Sequence, residues 1–109
     1  MPQLPALFAA LSDETRFSIV ERLLGKGEQS AGDLADVADI TAPAISRHLK
    51  VLREAGIVTQ RIDGQRRIYA VAPESLQAIS SWVIAHRDFW EGSLNRLEAA
   101  IENRRTESF

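Results

Sequence analysis

The chain has 109 residues, 45% of them hydrophobic, which fits one compact domain with a small core. It has no cysteine, which excludes disulfides, thiolate metal ligands and a cysteine nucleophile, and its formal net charge is only −2. The N-terminus lacks the basic and apolar regions of a signal peptide, and no apolar run approaches the roughly 20 residues of a membrane span. We therefore expect a cytoplasmic protein with no membrane partner.

The charge is unevenly distributed along the chain. Residues 41–71 contain six basic and two acidic side chains, whereas the remainder contains seven basic and thirteen acidic ones. A basic segment on an acidic body indicates a localised anionic partner, although a solvated helix face and hairpin would produce the same pattern.

Apolar residues at helical spacing predict two helices in the N-terminal part. Leu4, Leu7, Phe8 and Leu11 recur at helical spacing and predict the first helix. Ser12 is the predicted N-cap of the second helix, which should end at the glycines of residues 25–27.

Two further helices follow, separated by a brief turn. The third is short, and Ser30 and Asp33 at its start approximate a capping box. Thr41 is predicted to cap the fourth helix, which covers about residues 42–55. Apolar residues at i, i+4 and i+7 give this helix its buried stripe: Ile45, Leu49 and Leu52.

Alternating β-branched and aromatic residues then predict a β-hairpin over about residues 57–71. The pair Asp63-Gly64 between two such runs indicates a tight turn. Pro73 should begin a long final helix, about residues 73–102, with apolar residues every seven positions. A lone helix with such a stripe needs a partner surface, which is either a second copy of the chain or its own domain. Residues 104–109 are expected to be a frayed tail.

The predicted fold is therefore mainly α-helical with one β-hairpin: four helices, two strands and a fifth helix, in a single domain over residues 1–103. The third and fourth helices match a helix-turn-helix, in which the second helix lies in the DNA major groove. The hairpin would then be a wing beside it.

Three stretches carry a resemblance to a known family. They are Asp13-Glu-Thr-Arg16, the run from Ser46-Arg-His-Leu49 to Leu52-Arg-Glu-Ala-Gly56, and Asp63-Gly-Gln-Arg-Arg67. Over roughly residues 6 to 100 the chain resembles the ArsR family of bacterial winged-helix repressors. The resemblance implies a cytoplasmic homodimer that binds an imperfect palindrome in double-stranded DNA and represses transcription. It also implies that the first and last helices form the dimer interface.

In that arrangement the start of the fourth helix meets the bases, while neighbouring side chains and the wing meet phosphates or the minor groove. The predicted DNA-binding residues are Ser30, Thr41, Ala42, Pro43, Ser46, Arg47, His48, Lys50, Arg61, Gln65, Arg66 and Arg67. The predicted interface residues are Leu4, Leu7, Phe8, Leu76, Val83, Trp90, Leu94, Leu97 and Ile101.

The family's metal sites are not carried over to this chain. Residues 28–33, where one family site has cysteines, contain none, and the last helix has one histidine, His86, with Asp88 nearby. Leu97 stands where a second histidine would be expected, so we predict no metal and no cofactor. His48 and Ser46 are two positions apart on a helix and do not face each other, so we predict no enzyme activity.

Several alternatives stay open at this point. The winged helix could serve protein–protein contact without DNA, or a pocket around Trp82, His86 and Trp90 could bind a small-molecule effector in addition to DNA. His48 could be a half-buried helix residue or a DNA-backbone contact. Arg16 could position a phosphate or pair with a nearby carboxylate.

Overall fold

A computed structural model of the chain describes residues 3–107. The chain divides into two compact units, the first ending at Ala78 and the second beginning at Ile79. Residues 1–2 and 108–109, which include the end of the predicted tail, lie outside the described range. The single domain expected over residues 1–103 stays a prediction.

The first unit holds three helices and one small sheet. They are α1 (Leu4–Leu11), α2 (Glu14–Lys26), β1 (Gln29–Ser30), α3 (Ala42–Glu54), β2 (Val58–Asp63) and β3 (Arg66–Val71). The strands are antiparallel in the order β1-β3-β2. Helix α4 (Pro73–Ala85) starts in the first unit and ends in the second, and α5 (Arg87–Glu107) belongs to the second.

The core of the first unit lies between its helices and the sheet. Each helix turns one apolar stripe inward, and burying an aliphatic side chain of this size contributes roughly 1.5–3 kcal/mol. Ile57 and Ile68 extend the core into the hairpin. The most deeply buried helix and turn residues are Leu7, Ile19, Leu34, Ile45, Leu49 and Leu52.

The boundary between α1 and α2 lies one residue later than predicted. The N-cap of α2 is Asp13, whose carboxylate accepts a hydrogen bond from the Arg16 N–H at 3.0 Å. Ser12 instead ends α1, and its hydroxyl donates to the Ala9 carbonyl at 2.7 Å. The Arg16 N–H bond, together with the charge of Arg16, holds the pKa of Asp13 below its ordinary value.

Helix α3 has the ends that the sequence predicts. The Thr41 hydroxyl accepts a hydrogen bond from the Ala44 N–H, and Pro43 lies in the first turn, where no backbone donor is needed. At the other end Gly56 has φ +86°. The Gly56 N–H donates to the Arg53 carbonyl, and the Ile57 N–H donates to the Leu52 carbonyl. These two bonds form a Schellman motif.

The predicted third helix is not a regular helix. Residues 31–36 form successive turns with i→i−3 bonds, such as Leu34 N–H to the Ala31 carbonyl. Gly32 and the three aspartates at 33, 36 and 39 are weak helix formers, and this explains the difference. Leu34 is nevertheless fully buried and fixes the turns to the core.

The hairpin is present, with a third strand that the sequence analysis did not predict. Residues Gln29 and Ser30 pair with Tyr69 and Ile68 of β3. The two-residue turn of the hairpin is Gly64–Gln65, one position later than the predicted Asp63-Gly64 pair, and Gly64 has φ +63°.

The long final helix is interrupted at His86, which separates α4 from α5. His86 Nδ1 lies 2.8 Å from the Trp82 carbonyl, and Trp90 Nε1 donates to the Val83 carbonyl at 3.2 Å. These side chains satisfy carbonyls at the end of α4. Helix α5 continues to Glu107, beyond the start of the predicted frayed tail. Among the described residues no helix is both long and apolar enough to cross a membrane.

Leu49→Ala should reduce the free energy of unfolding by about 2–5 kcal/mol, because it leaves a cavity beneath α3. Val51→Ala, at an exposed position of the same helix, should change it by less than about 0.5 kcal/mol. Urea denaturation followed by circular dichroism measures both. Equal losses in the two variants would contradict the burial described for α3.

Asp13→Asn should flatten the acid dependence of stability. The folded pKa of Asp13 lies below the unfolded one, so its contribution is complete above about pH 4 and is lost as pH falls through the lowered value. Asparagine keeps an oxygen acceptor but does not titrate. Ser12→Ala, the matched control, should lower stability by an amount independent of pH. Thermal unfolding between about pH 2 and 7 tests this, and an unchanged acid slope in Asp13→Asn would refute it.

Candidate nucleic-acid interface

The buried stripe of α3 determines which side chains face solvent. Because Ile45, Leu49 and Leu52 face the core, the remaining faces of the helix are exposed. Most of the predicted DNA-binding residues of this region are exposed in the structure: Thr41, Ala42, Pro43, Ser46, Arg47 and Lys50.

The three cations of α3 differ in their surroundings. Arg47 has neither an ion pair nor a hydrogen bond in the described part of the chain. Lys50 lies 3.9 Å from Glu54, an exposed i,i+4 pair of small energy. Arg53 donates to the Gln60 side chain of β2. Arg47 is therefore the α3 cation with no side-chain partner among the described residues.

His48 is half-buried, and its contact to the DNA backbone stays a prediction. Its Nδ1 lies 3.4 Å from Arg16 Nη1 and 3.8 Å from Asp13 Oδ2. Since an arginine only donates, this contact makes Nδ1 the acceptor. Arg16 also donates from Nε to the Ala10 carbonyl at 2.7 Å. His48 and Arg16 thus join α3 to the start of α2, in keeping with structural roles for both.

Ser30 forms hydrogen bonds within the protein. It is only 7% exposed, and its hydroxyl accepts from the Asp33 N–H at 3.0 Å while its own N–H donates to Asp33 Oδ2 at 3.0 Å. This is the predicted capping box. The Ser30 N–H bond, with the Ser30 hydroxyl and Arg66 adding to it, lowers the pKa of Asp33. The phosphate contact of Ser30 stays a prediction, since these bonds use its hydroxyl as an acceptor and its backbone N–H as a donor.

The register of the hairpin places its cations on opposite faces of the sheet. Cross-strand partners share a face, so Arg61 lies on the face of Ile68, and Arg66, two residues from Ile68, lies there too. Arg67 faces the other way, opposite Ile62. Gln60, which Arg53 of α3 contacts, lies on this second face.

The two arginines on the first face are held by carboxylates. Arg61 Nη2 and Nε lie 2.7 and 2.8 Å from Glu28 Oε2, and Arg66 Nη2 lies 3.5 Å from Asp33 Oδ2. For Arg67 and Gln65 the described residues provide no such partner. The wing thus leaves Arg67 and Gln65 open, whereas Arg61 and Arg66 are neutralised.

Sequence reasoning missed Glu28 and Asp33 as partners of the wing. The pairs are separated by 33 positions along the chain, so no local pattern joins them. They meet only because β1 adds to the edge of β3 and places residues 28–33 beside the hairpin. The available signal was the presence of Glu28 and Asp33 in the segment that precedes the basic residues 41–71.

The predicted interface residues fall into two groups. Leu7 has 0% exposure because α1 turns it into the core, so the prediction of an interface role for this side chain is corrected. Leu4 and Leu76 are half-buried, and Phe8 is exposed. The exposed members of the second unit are Val83, Trp90, Leu94, Leu97 and Ile101.

The aromatic residues of the predicted effector pocket meet around the α4–α5 junction. The rings of Trp82 and His86 are 4.9 Å apart, and Trp90 bonds the backbone one turn away. Trp82 and Trp90 are nevertheless solvent-exposed. The structure therefore brings these three residues together in an exposed cluster.

Comparison with known proteins identifies the family. A helix-turn-helix domain family model matches residues 11–61. The chain is 46% identical over 70 residues to the HTH-type transcriptional regulator Rv2034 of Mycobacterium tuberculosis, a match that covers 64% of each chain. It is 36% identical over 98 residues to the arsenical resistance operon repressor of Escherichia coli, covering 89% of this chain and 80% of that one.

The fold comparison agrees with the sequence comparison. The ArsR-like transcriptional regulator from Rhodococcus sp. RHA1 superimposes with a TM-score of 0.69 at 32% identity, over 86% of this chain and 88% of that one. Helices α2 and α3, the turns between them and the hairpin together form a winged helix-turn-helix. The chain therefore belongs to the ArsR family of winged helix-turn-helix transcriptional regulators, which are DNA-binding proteins.

Proposed function

We propose that this regulator is a homodimeric repressor, which binds a two-fold operator with one α3 helix in each of two major grooves. The observation that supports this most directly is the exposed face of α3, where Arg47 stands unpaired above a buried apolar stripe. A helix fixed on one side and cationic on the other fits a major groove.

Base recognition is assigned to the N-terminal half of α3. Arg47 can donate two hydrogen bonds to one guanine, which is worth about 1–3 kcal/mol of discrimination. Ala42 and Pro43 can contact a thymine methyl group, and the Ser46 hydroxyl can bond either kind of base. All four side chains are exposed near the helix start.

Phosphate contacts are assigned to a smaller set than the sequence analysis predicted. Thr41, Lys50, Gln65 and Arg67 are exposed and carry donors suited to phosphate oxygens. Such contacts set orientation and add salt-dependent affinity without reading sequence.

The two protomers are proposed to associate through the apolar side chains of the second unit. Leu94, Leu97 and Ile101 of α5 recur at three- and four-residue spacing and are each about half exposed. Exposed apolar stripes of this kind are removed from water when two copies pair about a two-fold axis. Paired protomers could then reach half-sites one helical turn apart, about 34–36 Å, and exclude the transcription machinery from a promoter.

Arg47→Ala and Arg67→Ala should differ in their effects on DNA binding. An operator is first selected from a pool of random duplexes, and binding to it and to a scrambled duplex is then measured by fluorescence anisotropy. Arg47→Ala should weaken operator binding by about 1–3 kcal/mol for each protomer engaged and bring it closer to scrambled binding. Arg67→Ala should weaken both, with the salt slope falling by about 0.9 for each protomer.

Lys26→Ala, outside the proposed interface, provides the control and should bind as wild type. If no duplex binds in dilute salt, the chain acts through protein contacts instead. If Arg47→Ala discriminates operator from scrambled DNA as well as wild type does, the assignment of base contacts is wrong.

Leu97→Glu should give a monomer, because it places a charge in the proposed interface. The side chain is 57% exposed, so the protomer should keep its fold, which circular dichroism checks. Sedimentation velocity should show about half the wild-type mass, and operator affinity should fall by at least about tenfold because the second half-site is lost. Glu98→Gln, the neighbouring control, should remain dimeric. A Leu97→Glu dimer would place the interface elsewhere.

A further inference from the structure

Arg61 of the wing and Glu28 form the closest ion pair among the described residues. Two guanidinium nitrogens, Nη2 and Nε, approach a single carboxylate oxygen at 2.7 and 2.8 Å. Charge-assisted bonds of this length are stronger than neutral ones. The side chains are still 58% and 52% exposed, so the pair adds little to folding stability.

This pair differs from the neighbouring pair of Arg66 and Asp33. Asp33 caps the turn that begins at Ser30, which gives its carboxylate a structural role. The Glu28 carboxylate contacts only Arg61 in the described contacts. A change at Glu28 therefore alters the wing charge and leaves the local fold in place.

The pairing affects how the wing meets a polyanion. A cation that neutralises a phosphate releases a counterion, which steepens the dependence of affinity on salt. Arg61 is already neutralised, so it releases none while it stays with Glu28. If a phosphate took Arg61 instead, the Glu28 carboxylate would face the phosphates within a Debye length of about 10 Å and repel them.

We propose that Glu28 is an affinity-setting residue of the DNA interface. Its carboxylate competes with phosphate for Arg61 and lowers affinity for every duplex by one sequence-independent factor. Discrimination between sequences remains with the start of α3, since phosphate contacts carry no base information. This inference rests on the proposed DNA-binding function and adds an acidic residue outside α3 and the wing to it.

Four variants test the proposal: Glu28→Gln, Arg61→Ala, the double variant and Glu21→Gln. Glu21 is an exposed acid of α2 to which the described contacts assign no cation, so its variant makes the same change in net charge away from Arg61. The probes are a fluorescein-labelled 30-base-pair scrambled duplex and the selected operator. Anisotropy is measured between about 50 and 200 mM salt, where one phosphate contact changes affinity noticeably.

Glu28→Gln should bind both duplexes roughly three- to tenfold more tightly for each protomer engaged, with a salt slope steeper by about 0.9. Arg61→Ala should bind both duplexes more weakly than wild type, because it leaves the Glu28 carboxylate unpaired beside the phosphates. The double variant, which removes both charges, should bind as wild type. Glu21→Gln should give a markedly smaller gain. The ratio of operator to scrambled affinity should be the same in all four.

Other outcomes would overturn the proposal. Unchanged binding by Glu28→Gln, or a gain equal to that of Glu21→Gln, would show that Glu28 does not act on Arg61. A gain that persists in the double variant would show the same. A double variant that binds more weakly than wild type would mean that Arg61 already contacts phosphate. These results leave operator binding by the wild type intact, whereas absence of all duplex binding would overturn the proposed function as well.

Discussion

The packing of α3 against the core of the first unit is the constraint on which the rest of the site depends. Ile45, Leu49 and Leu52 have almost no exposed surface, so the helix cannot rotate about its axis without exposing them. That fixed rotation determines which side chains meet solvent. The Schellman motif at Gly56 then ends the helix and leads into the hairpin, so the same packing also positions the wing.

Ion pairs with nearby carboxylates then distinguish the exposed cations from one another. Residues 41–71 contain six basic side chains, but Arg61 and Arg66 each lie within 4 Å of a carboxylate from the segment before them. Counting charges along the sequence therefore overstates the cationic surface. The difference matters because affinity for DNA and its salt dependence follow the number of cations that neutralise phosphates.

Much of the fold could be predicted from the sequence because its signals are local. The Thr41 cap, the stripe of α3 and the alternation of the hairpin each depend on residues a few positions apart. Ser12 and Asp13 are both suitable N-caps for α2. The sequence favours Ser12, one residue before the cap that the structure shows. The capping box of Ser30 and Asp33 predicts a helix at 31–36, whereas Gly32 and the aspartates there favour turns.

The site was less predictable because its decisive contacts are not local. Glu28 reaches Arg61, and Arg16 reaches His48, only after the sheet and helices have assembled. The burial of Leu7 likewise depends on what covers α1, and a helical stripe alone does not distinguish a core residue from an interface residue.

The interruption at His86 has a mechanical consequence. The described backbone bonds across the junction include the i→i−3 bonds of His86 and Phe89, so the regular ladder of a continuous helix is replaced there. The side-chain bonds of His86 and Trp90 to carbonyls of α4 take the place of some of the missing backbone bonds. A change in the angle between α4 and α5 therefore breaks fewer backbone hydrogen bonds here than the same bend would break in the middle of a continuous helix.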